Sequence, residues 1–216
     1  DQASRRLALS GLGNLAEYRT EYSRAEDLYR ESLELCREAG DERGLASALG
    51  NLGVVAQRRG DISAARASFK EAGEHFAALG LQAQVGAGLN NLCVLSILEG
   101  DMDSARDLGM QSLAIRQNLG DTSGVGGCHT NLAAIELKCG ALPQAAEHAG
   151  KALGITLELG AMYHVVGVLD LCGEILAAAG QPDVSARLWA RAKRLRGDLG
   201  TPVSEGEQKA LEPKIA

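Results

Sequence analysis

Glycine returns every 40 residues along this chain, at Gly40, Gly80, Gly120, Gly160 and Gly200. A second series, Gly60, Gly100, Gly140 and Gly180, sits half a period away, with Thr20 as its odd member. A period held over the whole sequence means that one short supersecondary unit is stacked upon itself, because no such unit can bury its own apolar face alone. Between these stops the apolar residues fall at helical spacing: Leu49, Leu52, Val55 and Ala56 in one half-period, Ala65, Phe69, Ala72 and Phe76 in the next. Each repeat is therefore predicted to be two antiparallel helices. Glycine ends each helix because it takes the left-handed conformation without steric cost. Asp41, Asp61, Asp101 and Asp121 follow their glycines and are placed to cap the helices that come next.

Aligned at this period, Leu9, Leu49, Leu89, His129 and Leu169 form one column and Leu12, Leu52, Leu92, Leu132 and Cys172 another. A third column is small throughout: Gly13, Gly53, Cys93, Ala133 and Gly173. On the second helices Ala25, Ala65, Ala105, Ala145 and Ser185 form a small column, and Tyr29, Phe69, Gly109, Ala149 and Trp189 a mostly larger one. Small residues let the helices cross closely and large ones fill the remaining groove, so these columns are the expected core. With aromatics at only 3%, packing of helix on helix through small side chains is the arrangement the composition favours.

The residues carrying this pattern most clearly, Leu52, Gly53, Gly60, Ala65, Phe69 and Ala72, resemble a tetratricopeptide array over residues 1 to about 200. Two features depart from the usual motif: glycine replaces the proline that closes the second helix, and the period is 40 instead of the commoner 34. This long variant, with NLG in its first helix, is similar to kinesin light chain, the Pins/LGN adaptors and bacterial peptide-sensing regulators. The resemblance implies an all-α, right-handed superhelical solenoid of five helix-turn-helix repeats, about 1–40, 41–80, 81–120, 121–160 and 161–200. Thr201 and Pro202 look like a cap and first helical residue, so a short capping helix is expected over about 203–211 within 201–216. The stretch ARLWARAKRLRGDLGTPVSEGEQ resembles the tail of MalT-like and LuxR-type bacterial ATPase regulators, whose C-terminal repeats form a sensor arm. The chain starts without Met, which fits a piece of something longer.

Several chemistries find no support. A net charge of −6 gives no footprint for nucleic acid, and the basic run from Arg187 to Arg196 reads as one solvated helix face. The five cysteines, Cys36, Cys93, Cys128, Cys139 and Cys172, are odd in number and hold no CxxC pair, which suits a reducing compartment and not zinc. No run approaches the roughly 18 apolar residues of a membrane helix, and no charged-then-apolar leader opens the chain. A cytoplasmic setting is expected. The single GK, Gly150 and Lys151, is followed by Ala152, so no phosphate-binding loop is present. The histidines, His75, His129, His148 and His164, read as isolated, and His129 as a packed core residue. Cys128 beside it points about 100° away and cannot share its proton. Neither an enzyme, a cofactor nor a metal is expected.

What remains is the surface lined by the first helices, which the resemblance makes concave. Residues one helical step from the core columns should face it: Asn51, Val54 and Arg58, then Asn91, Val94 and Leu98, then Asn131, Ala134 and Lys138. Asn14 and Asn90 are outliers of the asparagine ladder, and Asp170 stands beside it in the fifth repeat. Asparagine is a poor helix-interior residue, so three in register ask for a reason. Either each amide pins a neighbouring helix, making the chain a structural spacer or self-association module, or the ladder binds a ligand. Packed helices lie roughly 8–10 Å apart, and an extended chain advances about 3.3 Å per residue. The ladder can thus meet an extended peptide backbone about every third residue, each amide matching a peptide bond's donor and acceptor. In the families resembled, asparagines at this position hold a ligand backbone. Val54, Val94, Ile97, Leu98 and Leu137 would supply an apolar floor, while Arg58, Lys138, Glu17, Asp170 and Glu174 would set its polarity. The expected partner is a peptide or protein segment, with self-association also compatible.

Overall fold

The computed structural model describes the chain from Gln2 to Gly200, so the capping helix expected over 203–211 lies outside the described residues. Ten helices follow in order: α1 (Gln2–Tyr18), α2 (Tyr22–Ala39), α3 (Glu42–Arg58), α4 (Ile62–Ala78), α5 (Gln82–Glu99), α6 (Met102–Asn118), α7 (Thr122–Lys138), α8 (Leu142–Glu158), α9 (Met162–Ala178) and α10 (Pro182–Asp198). No strand occurs among the described residues. Helices of 17 or 18 residues absorb the long period.

The stops work as the glycine series implies. Every glycine of both series has a positive φ, between 63° and 82°. Those from Gly40 to Gly180 each close their helix with the same pair of bonds; at Gly40, its N–H donates to the Arg37 carbonyl and that of Asp41 to the Cys36 carbonyl. Thr20 takes the same conformation, φ 61°, and makes the same closure through Glu17 and Ala16. At the other ends, Asp41, Asp61, Asp101 and Asp121 accept backbone N–H groups of Gly44, Ala64, Ser104 and Gly124 at 2.9–3.0 Å. The Gly124 N–H bond, more than any other influence, holds the Asp121 carboxyl below the usual carboxylate range.

The helices group into two compact units, one ending at Ile115 and one beginning at Arg116, with the division inside α6. In the first unit, a cluster of Leu33, Cys36, Leu45, Ala48 and Leu49 joins α2 to α3, and Ala72 and Phe76 of α4 belong to it. Ala65, Phe69, Leu92 and Leu95 similarly tie α4 to α5, and the buried Ser112 hydroxyl of α6 donates to the Gly86 carbonyl of α5 at 2.7 Å. In the second unit Ala133, Ala145, Ala149 and Ile175 join α7, α8 and α9. Ser185 of α10 donates to the Gly173 carbonyl of α9 at 2.8 Å.

The core columns are buried or, at Leu52, Leu89, Leu169 and Cys172, half-buried, with one exposed member. Leu92 and Leu132 are buried, whereas Leu12 is 48% exposed. Leu92 packs on Ala65 and Phe69 of the preceding repeat; among the described residues no helix stands in that position for α1. In the run from Arg187 to Arg196, Arg187, Arg191, Lys193 and Arg194 are exposed as a solvated face requires, and Arg196 alone of its basic residues departs from it. Trp189 and Ala192 are buried within it, and Arg196 forms an ion pair with Asp170 of α9 in which both side chains are mostly shielded from solvent.

Candidate functional site

Three of the expected groove residues come together in the first unit. Asn51 and Val54 on α3 and Asn91 on α5 line a recess of about 250 Å³ whose other walls include Ser47 and Gly50 of α3, Phe69, Ala72, Gly73 and Phe76 of α4, and Gln84, Ala87 and Gly88 of α5. The helix-to-helix clusters that fix the spacing of α3, α4 and α5 therefore fix the recess. None of its lining residues is ionisable, so its polarity comes from amides and a hydroxyl. Asn51 and Asn91 are half-buried, and neither amide is engaged in a hydrogen bond among the described residues.

The other expected residues have different surroundings. Arg58 is exposed in the last turn of α3, and Leu98 is 60% exposed near the end of α5. Val94 and Asn90 are half-buried on α5. Asn14 accepts the Tyr29 hydroxyl at 2.7 Å, so here an amide does pin one helix to the next. Burial, followed by the neighbouring charge of Glu17, pushes that hydroxyl's pKa up and keeps it a donor. In the second unit, Asn131 is half-buried and Lys138 exposed in the last turn of α7. Asp170 is the partner of Arg196, and its backbone carbonyl accepts the Trp189 indole N–H at 3.3 Å.

Sequence reasoning placed the groove on first helices alone and missed the contribution of α4. The available signal was glycine off the period. Gly50, Gly73 and Gly88 lie inside helical runs with ordinary helical φ, where glycine costs about 1 kcal/mol relative to alanine. A Cβ built on any of the three meets nothing within 4 Å.

A second recess, of about 660 Å³, lies among α2, α3 and α4 and is charged, with Glu26, Arg30, Glu34, Arg59 and Asp61 on its walls. Glu26 pairs with both Arg30 and Arg59, so much of that charge is already satisfied within the unit. The histidines also require correction, since His129 and His148 are not isolated: their Nδ1 atoms stand 2.9 Å apart across α7 and α8. Burial, then the charges of His148 and Lys151, lowers the His129 pKa; burial and then Lys151 lower that of His148. His75 lies 2.8 Å from the Glu42 carboxylate. No group of three or more His, Cys, Asp or Glu side chains is placed to hold a metal ion among the described residues, and no described helix is long and apolar enough to cross a membrane.

Comparison with known proteins agrees with this architecture. Residues 4–76 match the tetratricopeptide repeat family model, while no curated protein matches the chain. Among solved structures, BtubC (BKLC) from P. vanneervenii is 22% identical over 91% of this chain and 82% of its own, with a TM-score of 0.76. The apo form of RapI is 15% identical, covers 97% of this chain and 81% of its own, and gives a TM-score of 0.79. Nearly identical TPR-like repeats from a Podosopora anserina protein of kinesin light chain type are 13% identical over 94% of this chain and 99% of their own, at a TM-score of 0.72. At such identities these structures establish the fold alone. Residues 4–76 thus match the tetratricopeptide repeat model, and the described chain as a whole shares the fold of these helical repeat structures.

Proposed function

We propose that this chain is a binding scaffold whose groove along α3 and α5 holds an extended peptide or an extended segment of a partner protein. The observation that carries this reading is the pair of half-buried amides, Asn51 and Asn91, which share one recess and spend no hydrogen bond on the fold among the described residues. A side-chain amide offers one acceptor and two donors, enough to hold a peptide bond by both of its polar groups. Within the second unit, Asn131, Lys138 and Asp170 are the corresponding candidate residues in this reading. In the same reading the array is the sensor or recruitment arm of a larger cytoplasmic bacterial regulator, which is what the tail resemblance from Ala186 to Gln208 supports.

The alternative, a spacer held by internal staples, is favoured at one position, where Asn14 is bonded to Tyr29. An Asn51→Ala/Asn91→Ala variant separates the two. If each amide contributes a net hydrogen-bond energy of roughly 0.5–1.5 kcal/mol, peptides selected on the unmodified chain from a random display library should bind the variant about five- to a hundredfold more weakly. Thermal unfolding without peptide should be little changed. A large fall in melting temperature with affinity retained would assign the amides to the fold instead.

A further inference from the structure

The recess beside Asn51 and Asn91 lies at a column that is leucine in three of the other four repeats and the exposed Lys193 in the fifth. Position 73 is the repeat equivalent of Leu33, Leu113 and Leu153, and in this one repeat it is glycine. Leu33 and Leu113 are buried, and Leu33 packs against Leu45, Ala48 and Leu49 of the next helix. The residue facing such a leucine is also reduced here: Gly88 stands where the other repeats have Ala8, Ala48, Cys128 and Val168. At the third position Gly50 replaces Ser10, Asn90, Thr130 and Asp170. All three glycines line the recess, all are half-buried, and none has a heavy atom within 4 Å of where its Cβ would stand.

The fold gives no reason for them. Their φ values are helical, so no left-handed turn is served. Gly13, Gly53 and Gly173 each admit an aromatic ring within 3 Å of the missing Cβ, but these three admit nothing. Other helix-interior glycines that face open space, such as Gly11, Gly127, Gly150 and Gly167, are solvent-exposed. Glycine in a helix interior is unfavourable compared with alanine, and an unfilled core position forfeits the contacts of a leucine. Three such departures converge on one recess that contains no charge and has two uncommitted amides at its edge.

We infer that Gly50, Gly73 and Gly88 form a specificity slot that takes one uncharged, leucine-sized apolar side chain of the bound peptide. That side chain occupies the place Leu33 and Leu113 fill in the neighbouring repeats, while Asn51 and Asn91 hold the backbone on either side of it. The absence of ionisable residues from the lining rejects a charged side chain, which would lose its hydration there without gaining a partner. This inference rests on the peptide-binding reading above and adds which residue of the peptide is read.

The test is Gly73→Leu, which installs the leucine that stands at this position in three of the other four repeats. Peptides are first selected on the unmodified full chain from a random display library, and they should share one apolar position, leucine or a residue of similar size. Gly73→Leu should raise the melting temperature, because it fills the gap, and should weaken those peptides on the order of ten- to a hundredfold, the worth of one buried aliphatic side chain. Replacing the shared apolar residue of the peptide by alanine should cost the same on the unmodified chain and nothing further on the variant. Gly73→Leu with unchanged peptide affinity, in the presence of losses from Asn51→Ala/Asn91→Ala, would overturn the slot and leave the groove standing. A lowered melting temperature in Gly73→Leu would overturn it as well, since the position would then be closely packed. If no peptide is enriched on the unmodified chain, the groove reading itself falls and the slot with it.

Discussion

A Cβ added to Gly53 would stand 2.6 Å from Cε1 of Phe69, so the first and second helices of this repeat touch through a residue that has no side chain. Gly13 with Tyr29 and Gly173 with Trp189 repeat the relationship, each at 2.4 Å. Where the first member is larger, as with Cys93 and Ala133, the residue 16 positions on is Gly109 or Ala149. An aromatic ring therefore stands only opposite a glycine, and wherever the first member carries a side chain the second is small, as a close-packed crossing demands. Gly53→Ala should therefore destabilise the chain by roughly 1–3 kcal/mol in urea unfolding through overpacking, and adding Phe69→Leu should recover part of the loss. An unchanged midpoint in Gly53→Ala would show that the crossing has slack.

Thr20 holds the left-handed conformation that glycine takes at every other stop. A β-branched residue there is strained by roughly 1–2 kcal/mol, and glycine returns part of that gain through its greater freedom in the unfolded chain. Thr20→Gly should raise stability by about 0.5–1 kcal/mol, seen as a higher melting temperature. A decrease would mean that the Thr20 hydroxyl, bonded to the Arg19 carbonyl at 2.6 Å, outweighs the strain.

His129 and His148 share a hydrogen bond only while at least one nitrogen between them is unprotonated. Both pKa values are lowered from 6.5, by burial first, with Lys151 adding to it and Glu147 and Glu136 opposing it at one or both rings. A depressed folded value means that the unfolded chain binds protons more readily, so stability is full above 6.5 and declines as pH falls through and below that value. Urea midpoints measured from about pH 7.5 down to about pH 5.5 should fall, and His148→Asn should flatten the slope. An identical slope in that variant would assign the acid sensitivity elsewhere.

Helix α9 is preceded at its N-cap by Ala161, which offers no side-chain cap, whereas aspartate at the equivalent Asp41 and Asp121 accepts the N–H three residues on. Ala161→Asp should add about 1 kcal/mol through the same bond. Unaltered thermal unfolding would show that this first turn is already satisfied by its surroundings.

The period, the pairing of helices, the left-handed stops and the aspartate caps were legible in the residues because each depends on a few consecutive positions. Glycine after a helical run, aspartate before one and apolar residues at helical spacing have local causes. Column alignment also found the core, since equivalent positions of a repeat have equivalent surroundings, with Leu12 in the first described helix as the exposed exception. What only the tertiary structure decided is the use to which similar residues are put. Gly53 admits a ring, Gly60 makes a turn and Gly73 leaves a space; Asn14 is a staple while Asn51 and Asn91 are uncommitted among the described residues. Arg196 reaches Asp170, and His129 reaches His148. These outcomes depend on distances between side chains of different helices. The volumes packed at each crossing set those distances to within a few tenths of an ångström, and no spacing along the chain encodes them.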